Sequence, residues 1–403
     1  MNLRRIGLWI LLLPCTLAWA EEYPQPESYA SCLQELAADA QKAGVSPQTR
    51  ENILPQLRWR SEVIALDRKQ PEFTSSFSRY FSRAVSPTRI ERGQALLAEH
   101  AELLRKLQKQ YGLPGHYLLA FWGLETNFGG YLGNTPSLDA LATLGCDTRR
   151  SRYFRAELLA ALQLVDEQQL RPEDFRGSWA GALGLVQFMP SNYRRYGQDG
   201  DGDGKVDLFG SIPDALTSAA HFLHALGWQA EQRWGREVRL PGGFDYTLAD
   251  ARTQRPLRAW QKLGLRHANG GPLPVADFAA ALIVPSGHKG PAFVVYDNFK
   301  VIKRWNNSDF YALAVGHLAD RILGAPGLVQ NPPEENRALR LVLVQAAQEK
   351  LNALGFEAGE PDGIVGSGTR AAIRRFQVQQ QLVPDGYLDA QLLRALGIPL
   401  DED

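Results

Sequence analysis

Apolar residues recur at helical spacing from Tyr29 to about Gln168. The clearest stretch is Leu96-Leu97-His100-Leu103-Leu104-Leu107, whose three-and-four steps line one helix face. Tyr111-Gly112-Leu113-Pro114 breaks that stripe. A nearly continuous apolar helix follows, from about His116 to Glu125, and stops at Asn127-Phe128-Gly129-Gly130. Further helices are predicted over Tyr153 to Gln168, Pro213 to Leu226 and Asp309 to Leu323. Ala280 to Pro285 and Ala292 to Tyr296 read as strands. The pattern predicts a mainly α (α+β) fold with a small β element.

Ala325-Pro326-Gly327 through Pro332-Pro333-Glu334-Glu335 reads as a linker, because it is proline-rich and polar and follows a helix. Beyond it, about Asn336 to Ile398 forms a helical pattern of its own. That segment carries a weak internal echo: Asp362-Gly363-Ile364-Val365 and Asp385-Gly386-Tyr387-Leu388 each precede a helix, with Asp-Gly as the turn signal. The 403 residues fit two or three domains. The expected division is a leader over 1–20, a large domain over 21–325, a linker over 326–336 and a small domain over 337–398.

The leader is read from Arg4 and Arg5, the apolar run Ile6 to Leu13, and Ala18-Trp19-Ala20 before Glu21. These are the parts of a secretory signal peptide. Cys15 follows Pro14, where lipidation calls for a small residue, so the expected product is a soluble exported protein, periplasmic in location. No segment is long and apolar enough for a transmembrane helix. Cleavage leaves Cys32 and Cys146, which an oxidising compartment would let pair, although two buried free thiols fit the sequence equally. Formal charge is balanced, with 44 basic and 44 acidic residues, so nothing global points to nucleic acid.

Three motifs carry chemistry. In Phe121-Trp122-Gly123-Leu124-Glu125-Thr126-Asn127-Phe128-Gly129 a single carboxyl group ends an apolar helix. Apolar surroundings resist ionisation and suit a general acid, whereas a helix-terminal glutamate facing solvent is the plainer reading. Gly177 to Ser191 is small and apolar apart from Ser178, Gln187 and Ser191, so Gln187 must find partners or bind a sugar. Asp199-Gly200-Asp201-Gly202-Asp203-Gly204-Lys205-Val206-Asp207 has the spacing of a calcium loop. Asp199, Asp201 and Asp203 take positions one, three and five. Lys205 offers its carbonyl at seven, and Asp207 stands at nine. The twelfth position is Gly210 rather than an acid, which leaves Asp214 either to substitute or to cap the next helix. His221 and His224 share a helix face but lack a third zinc ligand.

With Ser137-Leu138-Asp139-Ala140-Leu141-Ala142-Thr143-Leu144 between them, the first two motifs resemble the membrane-bound lytic murein transglycosylase B family from about Tyr29 to Leu323. The resemblance implies a lysozyme-like α-rich core with added helical and β parts. It also implies cleavage of the β-1,4 bond between N-acetylmuramic acid and N-acetylglucosamine, leaving a 1,6-anhydro end. The family's catalytic glutamate falls on Glu125, and its substrate-binding serine and glutamine on Ser178 and Gln187. Its Tyr-Asn pair falls on Trp305-Asn306, with a following tyrosine at Tyr311 and an earlier one at Tyr80. Trp305 departs from tyrosine, and Phe222 stands where some members carry a tyrosine hydroxyl. Asp139, inside an apolar helical pattern, reads as structural.

The C-terminal segment resembles a peptidoglycan-binding module through Ala347 to Phe356, Asp362 to Gly366 and Thr369 to Gln377. It implies a three-helix domain in which Leu351, Leu354, Ile373, Phe376, Leu392 and Leu396 form the core. The implied role is tethering to the wall. The implied partners are peptidoglycan glycan strands, with cell-wall synthesis proteins as further candidates. No cofactor is needed for the chemistry, and calcium, if bound, is structural. A hydrolytic muramidase and a non-catalytic wall-binding scaffold are the rival readings.

Overall fold

The computed structural model describes residues 23–69, 75–167, 170–333 and 341–399. The expected leader over 1–20 lies outside the described residues, as do 334–340 at the end of the linker and start of the small domain. Two compact units are present: the described parts of Met1–Gln70, Leu132–Leu183 and Gln187–Arg195 form one, and those of Pro71–Tyr131, Gly184–Val186 and Tyr196–Asp403 the other.

The first unit is mainly helical, with one short antiparallel pair, Thr135–Pro136 and Arg176–Gly177. Ser137–Cys146 and Ser151–Asp166 pack together, with Tyr29–Lys42, Pro47–Ile53 and Ser61–Lys69 beside them. Ser46 caps the Pro47–Ile53 helix by accepting from Thr49 N at 3.2 Å, and Asp166 accepts from Ser46 N and Oγ, both at 2.7 Å. One cap thus joins the start of one helix to the end of another. Cys32 and Cys146 form a disulfide, Cα–Cα 5.9 Å, which settles the pairing that sequence left open. Asp139 is buried and accepts from Arg58 N at 3.0 Å and Arg60 Nε at 2.9 Å, the structural role its setting suggested.

The second unit is built on Gly115–Thr126, whose side chains are almost all buried because the segment is apolar on every face. Pro87–Glu99, Ala101–Tyr111, Ile212–Ala225 and Asp309–Ile322 pack around it. A five-stranded antiparallel sheet follows, in the order Arg255–Pro256, Ala279–Ile283, Ala292–Val295, Gly235–Arg239, Arg266–His267. Val294 faces a core with Trp260, Leu265 and Leu282, while Phe293 turns the other way toward Phe77 and Trp234. Both faces are covered, so the two central strands read as unbroken apolar runs. Gly235–Arg239 escaped the sequence pattern because two of its five residues are arginines and one is a glutamate.

The small domain has three helices, Leu341–Ala353, Ser367–Gln379 and Ala390–Ala395. Leu351, Ile373, Phe376, Leu392 and Leu396 are in its core, but Leu354 is 49% exposed and is corrected to a surface residue. It lies one residue beyond the end of Leu341–Ala353, past the packed face. The sequence echo is real in three dimensions. Buried Gln348 accepts from Gly363 N and donates to Asp362, and buried Gln377 accepts from Gly386 N and donates to Asp385 in the same way. Asp385 also accepts from His288 N at 2.9 Å, and Arg374 donates to the Ala249 carbonyl. The domain therefore lies against the sheet region, beside a cavity of about 640 Å³ lined in part by Asn306, Phe310, Arg370 and Tyr387.

Candidate active site

Glu125 sits in the last turn of Gly115–Thr126, where the local sequence stops the helix abruptly. Asn127 takes the left-handed conformation (φ 51°), and Asn127 N and Phe128 N close on the carbonyls of Gly123 and Trp122. Phe128 is also left-handed (φ 58°), a strained state for an aromatic residue. Its ring folds back over Gly123, where a Cβ would lie 2.7 Å from the ring, so only glycine fits. Thr126 Oγ1 donates to the Leu185 carbonyl at 2.7 Å and pins the end.

The carboxyl is held by aromatic residues. Trp305 Nε1 donates to Glu125 Oε1 at 2.8 Å, and the Tyr311 hydroxyl donates to the same oxygen. Trp305 ends the helix Asp297–Trp305, and Tyr311 lies in the first turn of Asp309–Ile322, capped by Ser308. The Trp305 ring packs against Phe121 (centroids 4.7 Å) and Phe222 (5.3 Å), and Phe222 packs on Tyr196 (4.7 Å). Desolvation pushes the Glu125 carboxyl from 4.5 up to about 7, against the lowering effect of the Tyr311 and Trp305 hydrogen bonds. Tyr80, on Phe77–Ala84, is pushed up to about 12 by burial and by the nearby Glu125 charge. Burial likewise raises Tyr311 well above the usual phenol range, reinforced by the Glu125 charge and hydrogen bond. The arrangement favours the protonated carboxyl up to near-neutral pH.

Of the residues expected at the site, the structure brings Tyr80, Trp305 and Tyr311 to Glu125. Asn306 caps the helix Asp297–Trp305, is exposed, and its side chain makes no hydrogen bond among the described residues. Ser178 and Gln187 belong to the first unit. Ser178 Oγ accepts from Ala182 N at 3.0 Å, in a turn where a Cβ on Gly177 would lie 1.9 Å from the Ala182 carbonyl oxygen. Gln187 is half-buried, has φ 49° and donates to the Leu132 carbonyl at 3.0 Å. Phe121 and Tyr196 were not singled out from sequence. Phe121 had a signal, since it lies four residues before Glu125 on one helix face. Tyr196 had none.

In the acidic loop, Asp199, Asp201 and Asp203 place carboxylate oxygens within 4.8 Å of one another. Asp207 is not part of that cluster: its carboxylate accepts from Phe209 N (2.8 Å) and Gly210 N (2.9 Å). Asp214 neither caps the helix, a task of Ser211, nor joins the cluster. It is buried and accepts from Gly200 N and Asp207 N, both at 2.7 Å, tying the two ends of the loop. His221 and His224 hydrogen-bond through Nδ1 to the carbonyls of Tyr196 and Tyr111, which orients both rings.

A helical core presenting one neutral-range carboxyl group among aromatic residues suits general-acid cleavage of a glycosidic bond. The family model described as Transglycosylase SLT domain matches residues 28–320, and that of the putative peptidoglycan binding domain matches 341–396. The membrane-bound lytic murein transglycosylase B of Escherichia coli (strain K12) is 31% identical over 296 residues, 70% of this chain and 79% of that protein. SltB3 from Pseudomonas aeruginosa, solved in complex with NAG-anhNAM-pentapeptide, is 41% identical, covers 92% of this chain and 100% of its own, and has a TM-score of 0.87. The Escherichia coli lytic transglycosylase Slt35, solved in complex with calcium, is 28% identical over 72% of this chain and 92% of its own, TM-score 0.63. The chain belongs to the lytic murein transglycosylase B family and is a peptidoglycan lytic transglycosylase with a C-terminal peptidoglycan-binding domain. Its fold is the expected one, a mainly α, lysozyme-like core with a small β part.

Proposed function

We propose that Glu125 performs both proton transfers of the lytic reaction. The observation that carries this reading is the desolvated carboxyl, held on one oxygen by Trp305 and Tyr311 and raised to about 7. Glu125 protonates the glycosidic oxygen, and the C–O bond to the muramoyl anomeric carbon breaks. The substrate's own acetamido oxygen stabilises the positive centre, which is why a second carboxylate is not required. Glu125, now ionised, takes the proton from the C6 hydroxyl as that oxygen bonds to the anomeric carbon. Ser178 and Gln187 are proposed to hold the acetamido and hydroxyl groups, with Tyr80 and Asn306 lining the sugar path. Digestion of purified sacculi followed by mass spectrometry tests this: muropeptides should carry 1,6-anhydro ends, and reducing ends would favour a hydrolase.

The leader, the disulfide and the wall substrate support a periplasmic location, with cleavage after Ala20. No described helix is long and apolar enough to cross a membrane. Residues 21–325 are assigned to catalysis and 337–398 to holding the enzyme on the wall, which raises the local glycan concentration.

Calcium is proposed to bind the loop through Asp199, Asp201 and Asp203 with the Lys205 carbonyl. These are hard oxygen donors of the kind the ion takes, and their mutual repulsion falls when it binds. With Asp207 outside the cluster and glycine rather than an acid at Gly210, affinity should be low. Saturating calcium, at roughly a hundred times the dissociation constant, should add about 2.7 kcal/mol and raise the melting temperature. Asp203→Ala should remove the rise. Identical melting curves in calcium and in chelator would exclude the metal.

A further inference from the structure

We propose that Trp305 is a positioning residue that gives the two oxygens of Glu125 separate duties: Oε1 is held, and Oε2 alone carries and recovers the proton. The proposal rests on the reading of Glu125 as the acid. The indole Nε1–H reaches Oε1 at 2.8 Å, and the Tyr311 hydroxyl reaches the same atom. Among the described residues no hydrogen bond reaches Oε2. A carboxyl oxygen offers two lone pairs in its plane, and on Oε1 both are filled. The acid's hydrogen therefore resides on Oε2.

An indole suits this task better than the phenol expected at the position. It has one donor, accepts nothing and does not titrate, so its hydrogen bond has a single polarity. Its plane is fixed by the Phe121 and Phe222 rings, and Phe222 is itself stacked on Tyr196. Phe222 lacks a hydroxyl that could compete for the carboxyl. As negative charge develops on Glu125, the two donors already point at Oε1 and need not reorganise.

The titratable groups facing the carboxyl are few. Tyr311 comes from Asp309–Ile322 and Tyr80 from Phe77–Ala84. Arg83 and Arg89 act on Tyr80 rather than directly on Glu125. Ile212–Ala225 contributes the Phe222 ring, and the catalytic helix itself contributes Phe121. Desolvation holds the carboxyl protonated, and the indole is one of only two groups opposing it. Removing the N–H should therefore move loss of the acid proton to higher pH.

The test is the pH profile of anhydro-muropeptide release by wild type, Trp305→Phe, and a variant with benzothienylalanine at 305, which keeps the bicyclic ring but has sulfur for N–H. Glu125→Gln serves as the control. Both substitutions should move the alkaline limb up by about one pH unit. They should lower kcat about tenfold while leaving KM nearly unchanged. An unmoved limb in the ring-preserving variant, or a rise in KM alone, would reduce Trp305 to a sugar platform and overturn the proposal. If Glu125→Gln is inactive in that case, the assignment of the acid stands. Near-normal release by Glu125→Gln would remove both.

Discussion

Glu125→Gln should lose nearly all cleavage and, above neutral pH, should be more stable than the wild type. The amide keeps the size of the side chain and an oxygen for Trp305 and Tyr311, so packing should hold. It has no proton to give. General acid–base catalysis is typically worth about a hundred to ten thousandfold, and here one group serves two steps. The stability gain follows from linkage. The carboxyl titrates at 4.5 when unfolded and at about 7 when folded, so the native state favours the protonated form. Its contribution is fully present below pH 4.5, is lost as pH rises through 7, and leaves a desolvated charge at higher pH. At 1.36 kcal/mol per pH unit, glutamine should stabilise by about 3 kcal/mol at pH 8 and by nothing at pH 4. Chemical denaturation at both pH values reads this directly. Equal stability at pH 8 would mean that the carboxyl is well hydrated, and the acid reading would lose its physical basis.

The second large effect is expected at the disulfide. It joins residues 114 apart, so it closes a loop that takes much freedom from the unfolded chain. Replacing both Cys32 and Cys146 with alanine should cost about 2–5 kcal/mol. The loss should appear as a lower denaturant midpoint of the first unit, and reductant should reproduce it in the wild type. A midpoint insensitive to both would show that packing of Tyr29–Lys42 on its neighbours already suffices.

The parts of this protein that were legible in sequence are those set by a short-range rule. The helix around Glu125 was placed within a residue of its observed bounds, Gly115–Thr126, because apolar continuity and an Asn-Phe-Gly-Gly stop define it locally. The turn-then-helix echo of the small domain was visible because Asp-Gly marks a turn. What escaped depended on partners far along the chain. Gly235–Arg239 is a strand because Ala292–Val295 pairs with it, not because of its composition. The Cys32–Cys146 bond depends on two helices meeting. Asp207 has the right spacing for a ligand, but its carboxylate lies outside the cluster of Asp199, Asp201 and Asp203 and accepts from Phe209 N and Gly210 N, a placement that spacing does not reveal. Trp305 was visible as an aromatic residue, yet its N–H on Glu125 spans 180 positions in sequence.

The five-stranded sheet also bears on how this protein survives crowding. Its outermost strands, Arg255–Pro256 and Arg266–His267, are each only two residues long. One carries a proline, which cannot donate to a new strand, and both carry arginine, which resists a like-charged copy. The long apolar strands, Ala279–Ile283 and Ala292–Val295, are kept to the interior of the order. A folded molecule thus offers little template for edge-to-edge pairing. For this sheet, the hazard of cross-β association is greatest in the interval before those edges close.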